Sequence, residues 1–144
     1  MAGKPMDVLS EDESWDLLSS RTLGRLVTCV DDYPEIFPVN FVVQRRTVLF
    51  RTAEFATKLF TVVMNAHVVF EADDHNVSEG WSVIVKGIAQ VLNAEDEIEE
   101  AERAQLLPWT AGSKPRYVRV EPSEVSGRRF RFGSAAETDQ SPRW

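Results

Sequence analysis

The chain has 144 residues, 43% of them hydrophobic, with a formal net charge of −7 and one cysteine. That length suits one domain, and such a domain buries roughly 70% of the surface its unfolded chain exposes, enough for a core without disulfides or a structural metal. The acidic balance excludes general nucleic-acid binding, which needs a basic surface, and the lone Cys29 excludes an internal disulfide framework.

Apolar runs reach five or six residues at most, far short of the ~20 that span a bilayer. No basic segment followed by an apolar stretch opens the chain, so the cytoplasm is the expected compartment. Cys29 lies in the apolar run Leu26–Val30 and reads as a small core residue. Charge is uneven. Lys114 to Arg131 carries six basic side chains and two acidic ones, whereas Glu95 to Glu102 carries six acids and no base. An acidic chain with one basic segment can bind a small anion locally.

In chain order, Met1 to Leu9 shows no strong pattern. Ser10-Glu11-Asp12-Glu13 is a capping box, predicting a helix to about Ser19 with Trp15 and Leu18 on its buried side. Leu23 to Val30 reads as a strand, and Asp31-Asp32-Tyr33-Pro34 as a turn. Glu35 to Gln44 is the next strand. Pro38 inside it cannot donate to a ladder, so this strand is an edge or carries a bulge there. Gln44 to Thr47 is a hairpin connection, and Val48 to Thr52 the third strand of a meander.

Ala53 to Met64 has one apolar face, Phe55, Leu59, Val62 and Val63, and is predicted helical. Ala66 to Ala72 is a strand, Asp73 to Gly80 a polar loop, and Trp81 to Leu92 a long strand in which Gly87 permits a bend or close approach. Asn93 is placed to cap a helix through about Arg103. Leu106 to Lys114 is a connection. Arg116 to Val120 and Ser126 to Phe132 are the last strands, and residues 133–144 a polar tail expected to be disordered, beyond a single domain over 1–132. Alternating βαβ units are absent. So many antiparallel strands hide their edges most economically in a barrel.

Arg51 ends a strand, and Thr52, Thr57 and Lys58 follow around a helix start. Two cations and two hydroxyls beside free N–H groups make a workable phosphate site. A strand-end Arg and a solvated Lys is the plainer reading of the same pattern. Asn40, in Pro38-Val39-Asn40-Phe41, is a polar side chain among apolar ones, suited to the polar edge of a flat heteroaromatic ring or to tying down the strand at Pro38. Trp81, beside Ser82, stacks on a ring or fills the core. Arg128, Arg129 and Arg131 form a solvated face or contribute one cation to an anion site. His67 and His75 lack the spacing of a metal site. No nucleophile or acid–base residue stands out.

Taken together, these segments resemble the pyridoxamine 5'-phosphate oxidase-like family, the flavin-binding split barrels. The resemblance covers about Ser10 to Phe132. It is carried by Gly24-Arg25-Leu26 with Thr28, Pro38-Val39-Asn40-Phe41, Leu49-Phe50-Arg51-Thr52 with Lys58, Phe70-Glu71-Ala72-Asp73, Gly80-Trp81-Ser82-Val83 with Gly87, Pro108-Trp109 and Gly127-Arg128-Arg129. It implies a six-stranded antiparallel split barrel, mainly β with a few helices. It also implies a homodimer with two cofactor sites between subunits, and FMN, or the deazaflavin F420, acting on a small-molecule substrate.

On that resemblance Arg51, Thr52, Thr57 and Lys58 hold the cofactor phosphate, with Arg129 as a further contact. Val39, Asn40 and Phe41 lie along the ring, and Trp81 and Ser82 approach from the partner. Relatives often place a glycine shortly before the Thr-Lys pair. Here Ala53-Glu54-Phe55-Ala56 stands instead, which weakens the expected affinity. The resemblance implies an oxidoreductase; a flavin-storage protein and a barrel turned interaction module are the alternatives.

Overall fold

The structure is a computed structural model that describes residues 5–52, 66–106 and 116–133. The helix predicted over 53–64, the rest of the connection beyond Leu106 and the tail beyond Gly133 lie outside the described residues. Within them run β1 (Met6–Leu9), α1 (Glu11–Ser19), β2 (Leu23–Val30), β3 (Tyr33–Gln44), β4 (Thr47–Thr52), β5 (Ala66–His75), β6 (Glu79–Val91), α2 (Glu95–Glu102) and β7 (Arg116–Arg131). The sheet is antiparallel throughout, in the order β1-β7-β4-β3-β2-β5-β6, and β6 pairs again with β7 to close a ring. The chain is mainly β, a split barrel, as predicted.

β7 makes the closure. Its 16 residues pair with β6 along nearly the whole length. Its other edge meets β4 over Arg116–Val120 and then β1 over Gly127–Phe130. Two corrections follow. β1 is a strand the opening residues do not advertise, since four residues show too little alternation. The two predicted final strands are one, because Pro122 sits at a register shift between Lys86 and Gly87 and bends the strand without ending it. Gly87 is required there: a Cβ would come within 2.0 Å of the Glu121 carbonyl oxygen.

β2, β3 and β4 form the expected meander. Both connecting turns place two residues in the left-handed region, Asp31 and Asp32 (φ 51° and 65°) and Arg45 and Arg46 (φ 52° and 51°). This geometry matches strand twist, and Asp tolerates it well. The arginines are held by side-chain contacts, Arg45 to Glu100 at 2.6 Å and Arg46 to Asp12 at 2.5 Å. Pro38 stands opposite Arg25 on β2, while β4 reaches β3 only from Phe41 onward. Pro38 therefore lies at a local edge, without a bulge.

The predicted polar loop at Asp73–Gly80 is shorter than expected. β5 and β6 extend through it to a turn at Asn76, whose Oδ1 accepts from the Ser78 and Glu79 N–H groups at 2.8 and 2.9 Å. Cys29 is exposed, not buried. Alternation along β2 turns Leu26 and Thr28 inward and Cys29 outward, so an apolar run does not mean two buried faces.

The inner faces fill the barrel with Val, Leu and Phe, and Phe41 meets Phe70 edge-to-face at 4.7 Å between centroids. α1 carries the predicted capping box between Ser10 and Glu13. It turns Ser14, Trp15 and Leu18 inward and packs against β3, β6 and β7. The N-cap of α2 is Ala94, not Asn93, and no side chain caps it. Its last turn has no base, so its charges oppose the helix dipole there.

Outside contacts compensate. Leu49 and Leu92 pack with Ala101 and Leu106 in a second apolar cluster. The buried Arg119 donates to Thr47 Oγ1 at 2.7 Å, Gln44 Oε1 at 2.9 Å and Glu100 Oε1 at 3.2 Å, while Gln44 Nε2 donates to the Glu100 carbonyl at 2.8 Å.

Gly87→Ala should lower thermal stability by about 1–3 kcal/mol, measured by denaturant unfolding, because the added methyl must displace β7 backbone. Hydrogen bonds from Arg45, with the charges of Arg45 and Arg119, hold the Glu100 carboxyl below the usual carboxylate range. Its stabilising effect is therefore present above its unfolded pKa and lost as pH falls through the lower folded value. Glu100→Gln should flatten that acid limb of the pH–stability curve.

Candidate functional site

β3 and β4 turn Val39, Phe41, Val48 and Phe50 into the barrel, which leaves Asn40, Val42, Leu49 and Arg51 for the outer face. Two clefts open there. One, of about 340 Å³, is lined by Thr22, Asn40, Phe41, Val42, Ala104, Gln105 and Leu106. The other, of about 410 Å³, is lined by Arg51, Leu92, Asn93, Ile98, Glu102, Arg116 and Tyr117. The first is largely apolar with one amide. The second offers two guanidinium groups and one carboxylate.

Arg51 joins the clefts. Its Nη1 donates to the Leu106 carbonyl at 2.7 Å, and its guanidinium carbon lies 5.0 Å from the centroid of the Tyr117 ring. Its Nε is buried with no hydrogen-bond partner. Leaving such a donor unpaired costs about 1–3 kcal/mol, so an arriving acceptor gains from meeting it. Among the described residues, this is a cation held in place with donor capacity in reserve.

Of the predicted contacts, Asn40 and Arg51 come to this face. Val39 and Phe41 have side chains inside the barrel, both nearly fully buried. Thr52 ends β4, and Thr57 and Lys58 lie outside the described residues. Trp81 and Ser82 point to opposite sides of β6. Trp81 is buried, and with its cross-strand neighbour Arg129 and with Leu17, His75 and Glu79 it lines a separate cleft of about 230 Å³. Arg129 faces Glu79 at 3.4 Å. Ser82 is on the outer face, where its hydroxyl donates to Glu71 Oε2 at 3.0 Å. The Trp81–Arg129 cleft shares no lining residue with the two Asn40–Arg51 clefts.

Three participants had no sequence signal strong enough to select them. Leu106 acts through its carbonyl, which any residue has. Tyr117 is one aromatic in an ordinary strand. Glu71 lies in Phe70-Glu71-Ala72-Asp73, which marks the family but gives Glu71 no role, and only folding sets it beside Arg25, Asp73 and Ser82. Burial, then a hydrogen bond with Asp73, pushes the Glu71 carboxyl above its usual range, against the pull of Ser82 and Arg25.

The family model for pyridoxamine 5'-phosphate oxidase matches residues 10–129. The chain belongs to this family. An uncharacterised protein of Mycobacterium tuberculosis is 62% identical over 100 residues, 69% of this chain and 90% of that protein. The structure of an FAD-binding protein from Mycobacterium smegmatis superposes with a TM-score of 0.82 at 59% identity, covering 88% of this chain and all of the other. A Corynebacterium glutamicum structure bearing the same oxidase name gives a TM-score of 0.84 at 40% identity, covering 93% and 99% of the two chains.

Within this family member, Arg51→Met should free the Leu106 carbonyl. Amide hydrogen exchange over 104–106 is expected to rise, while the amides of β5 and β6 stay protected.

Proposed function

We propose that this family member binds a flavin along the Asn40 and Arg51 clefts and uses it as an oxidoreductase on a small molecule. The observation that carries the reading is Arg51 itself. A guanidinium with an unpartnered buried Nε stands where an apolar cleft adjoins a cationic one. A flat apolar ring with a polar edge and a phosphate tail is matched by that sequence of surfaces. The Asn40 amide can both donate and accept at the ring's polar edge, and Arg51 offers a planar fork to phosphate.

A bound flavin would supply the hydride chemistry, while the chain's own residues hold and orient it. FMN and F420 follow from the family resemblance. The M. smegmatis structure adds FAD, a flavin with a diphosphate that the sequence had not suggested. A cytoplasmic location belongs to the same reading; among the described residues no helix is long and apolar enough to cross a membrane.

A homodimer is part of the proposal. Ile36, Val27, Val69 and Lys86 form one row across the outer faces of β3, β2, β5 and β6, with Ile84 in the next row, and Ile36 is 62% exposed. Three apolar side chains in a row, half-buried Val27 and Val69 beside exposed Ile36 and ending at Lys86, support contact with a second copy. The neighbouring Arg25, Glu71, Asp73 and Arg128 carry both signs of charge, which suits a self-complementary surface.

Titration of the purified protein with FAD, FMN and F420, followed by fluorescence, should give saturable binding to at least one at micromolar or lower concentration. Binding to none overturns the reading. Arg51→Gln should weaken that binding about ten- to a hundredfold, the loss of one charge-assisted bond of ~1.5–3 kcal/mol. Light scattering should report a dimer for the wild type and a monomer for Ile36→Glu, with an unchanged melting temperature.

A further inference from the structure

Flavin chemistry needs directed hydrogen bonds at the ring, and the sequence offered no acid or base to direct them. The outer face of β5 and β6 holds a cluster that can. Ser82 Oγ donates to Glu71 Oε2 at 3.0 Å. Arg25 Nη1, from β2, bridges Glu71 Oε1 at 3.0 Å and Asp73 Oδ2 at 3.1 Å. Asp73 stands directly across from Ser82 on β5, and Arg128 across from it on β7. The other cross-strand neighbour of Glu71 is Ile84, which cannot titrate, and Arg21 is occupied with Asp74 at 3.2 Å. Glu71 is thus faced by one guanidinium, one carboxylate and one hydroxyl.

We propose that Glu71 is a positioning residue that sets which way the Ser82 hydroxyl points. As a carboxylate it accepts the hydroxyl proton. The Ser82 oxygen then offers its lone pairs to an N–H or O–H arriving at this face. As a carboxylic acid Glu71 can donate instead, and Ser82 is released to act as donor. One proton on Glu71 therefore reverses the polarity of the hydrogen bond presented to a ligand.

This role for Glu71 rests on the flavin reading and on the family resemblance, which brings Ser82 to the ring from the partner subunit. Burial and the neighbouring Asp73 raise the Glu71 carboxyl, so it keeps its proton to higher pH than an ordinary glutamate does. Arg25 holds the two carboxylates side by side; its charge favours the Glu71 carboxylate, and the adjacent Asp73 works against it.

The test has a ligand-free arm and a flavin arm. In ligand-free protein, the carbon-13 NMR titration of the Glu71 carboxyl should move upward in Ser82→Ala, because the hydroxyl bond that favours the carboxylate is gone. An unchanged titration overturns the proposal whatever the flavin result. In the second arm FAD and FMN are titrated between roughly pH 4 and pH 8. Wild-type affinity should fall, and the bound absorption spectrum shift, as Glu71 gains its proton. Glu71→Gln should abolish that pH step, and Ser82→Ala should abolish it with roughly tenfold weaker binding at neutral pH. Melting temperatures within a few degrees of wild type guard against a merely structural effect. Persistence of the step in Glu71→Gln overturns the proposal with the flavin reading intact. A shifted Glu71 titration without any flavin binding overturns the flavin reading and upholds the coupling of Glu71 to Ser82.

Discussion

The molecule depends on one strand serving three partners. β7 gives one edge to β6 and divides the other between β4 and β1. The pairings with β4 and β6 close the ring, because β7 stands between those two strands. Pro122 and Gly87 make this possible, because the register shift beside this cross-strand pair bends a 16-residue strand around the barrel. The absence of a Cβ at position 87 is therefore a condition for closure.

Closure leaves the barrel with two different outer faces. Over β4 and the first half of β7, α2 and the residues after it supply a lid of Ile98, Ala101 and Leu106 above Leu49. That lid is weak as a helix, since it lacks a side-chain cap and carries acids into its last turn. It is strong as a docked element, because Gln44, Arg45 and Arg119 converge on Glu100. The clefts at Asn40 and Arg51 are the margin of this docking. On the face of β2, β5 and β6, the same alternation of side chains exposes Ile36 and gathers Arg25, Glu71, Asp73 and Ser82.

Charge is used differently on the two faces. At Glu100 a guanidinium stabilises the carboxylate and fastens a helix. At Glu71 burial and a neighbouring carboxylate work against ionisation, and the hydroxyl of Ser82 depends on the outcome. A fastening needs its charges fixed, whereas a group that orients a ligand gains from being able to change.

Local rules determined much of the fold. The capping box at Ser10 and Glu13, the alternation of Leu23–Val30 and the near-continuous strand before Gln44 are short-range features, and each was legible because residues within one turn or one strand carry the information. The family pattern likewise pointed to the barrel, to Asn40 and to Arg51. Other features were decided by tertiary structure alone. Met6–Leu9 is a strand only because β7 presents it an edge. Cys29 is exposed because the hairpin of β2 and β3 buries one of its faces. Leu106 and Tyr117 matter through Arg51, 55 and 66 positions away, and Glu71 through Arg25, 46 positions away. A sequence displays what a residue is, but which distant backbone carbonyl, ring or carboxylate stands beside it is set by strand register, and register becomes definite only when the ring closes.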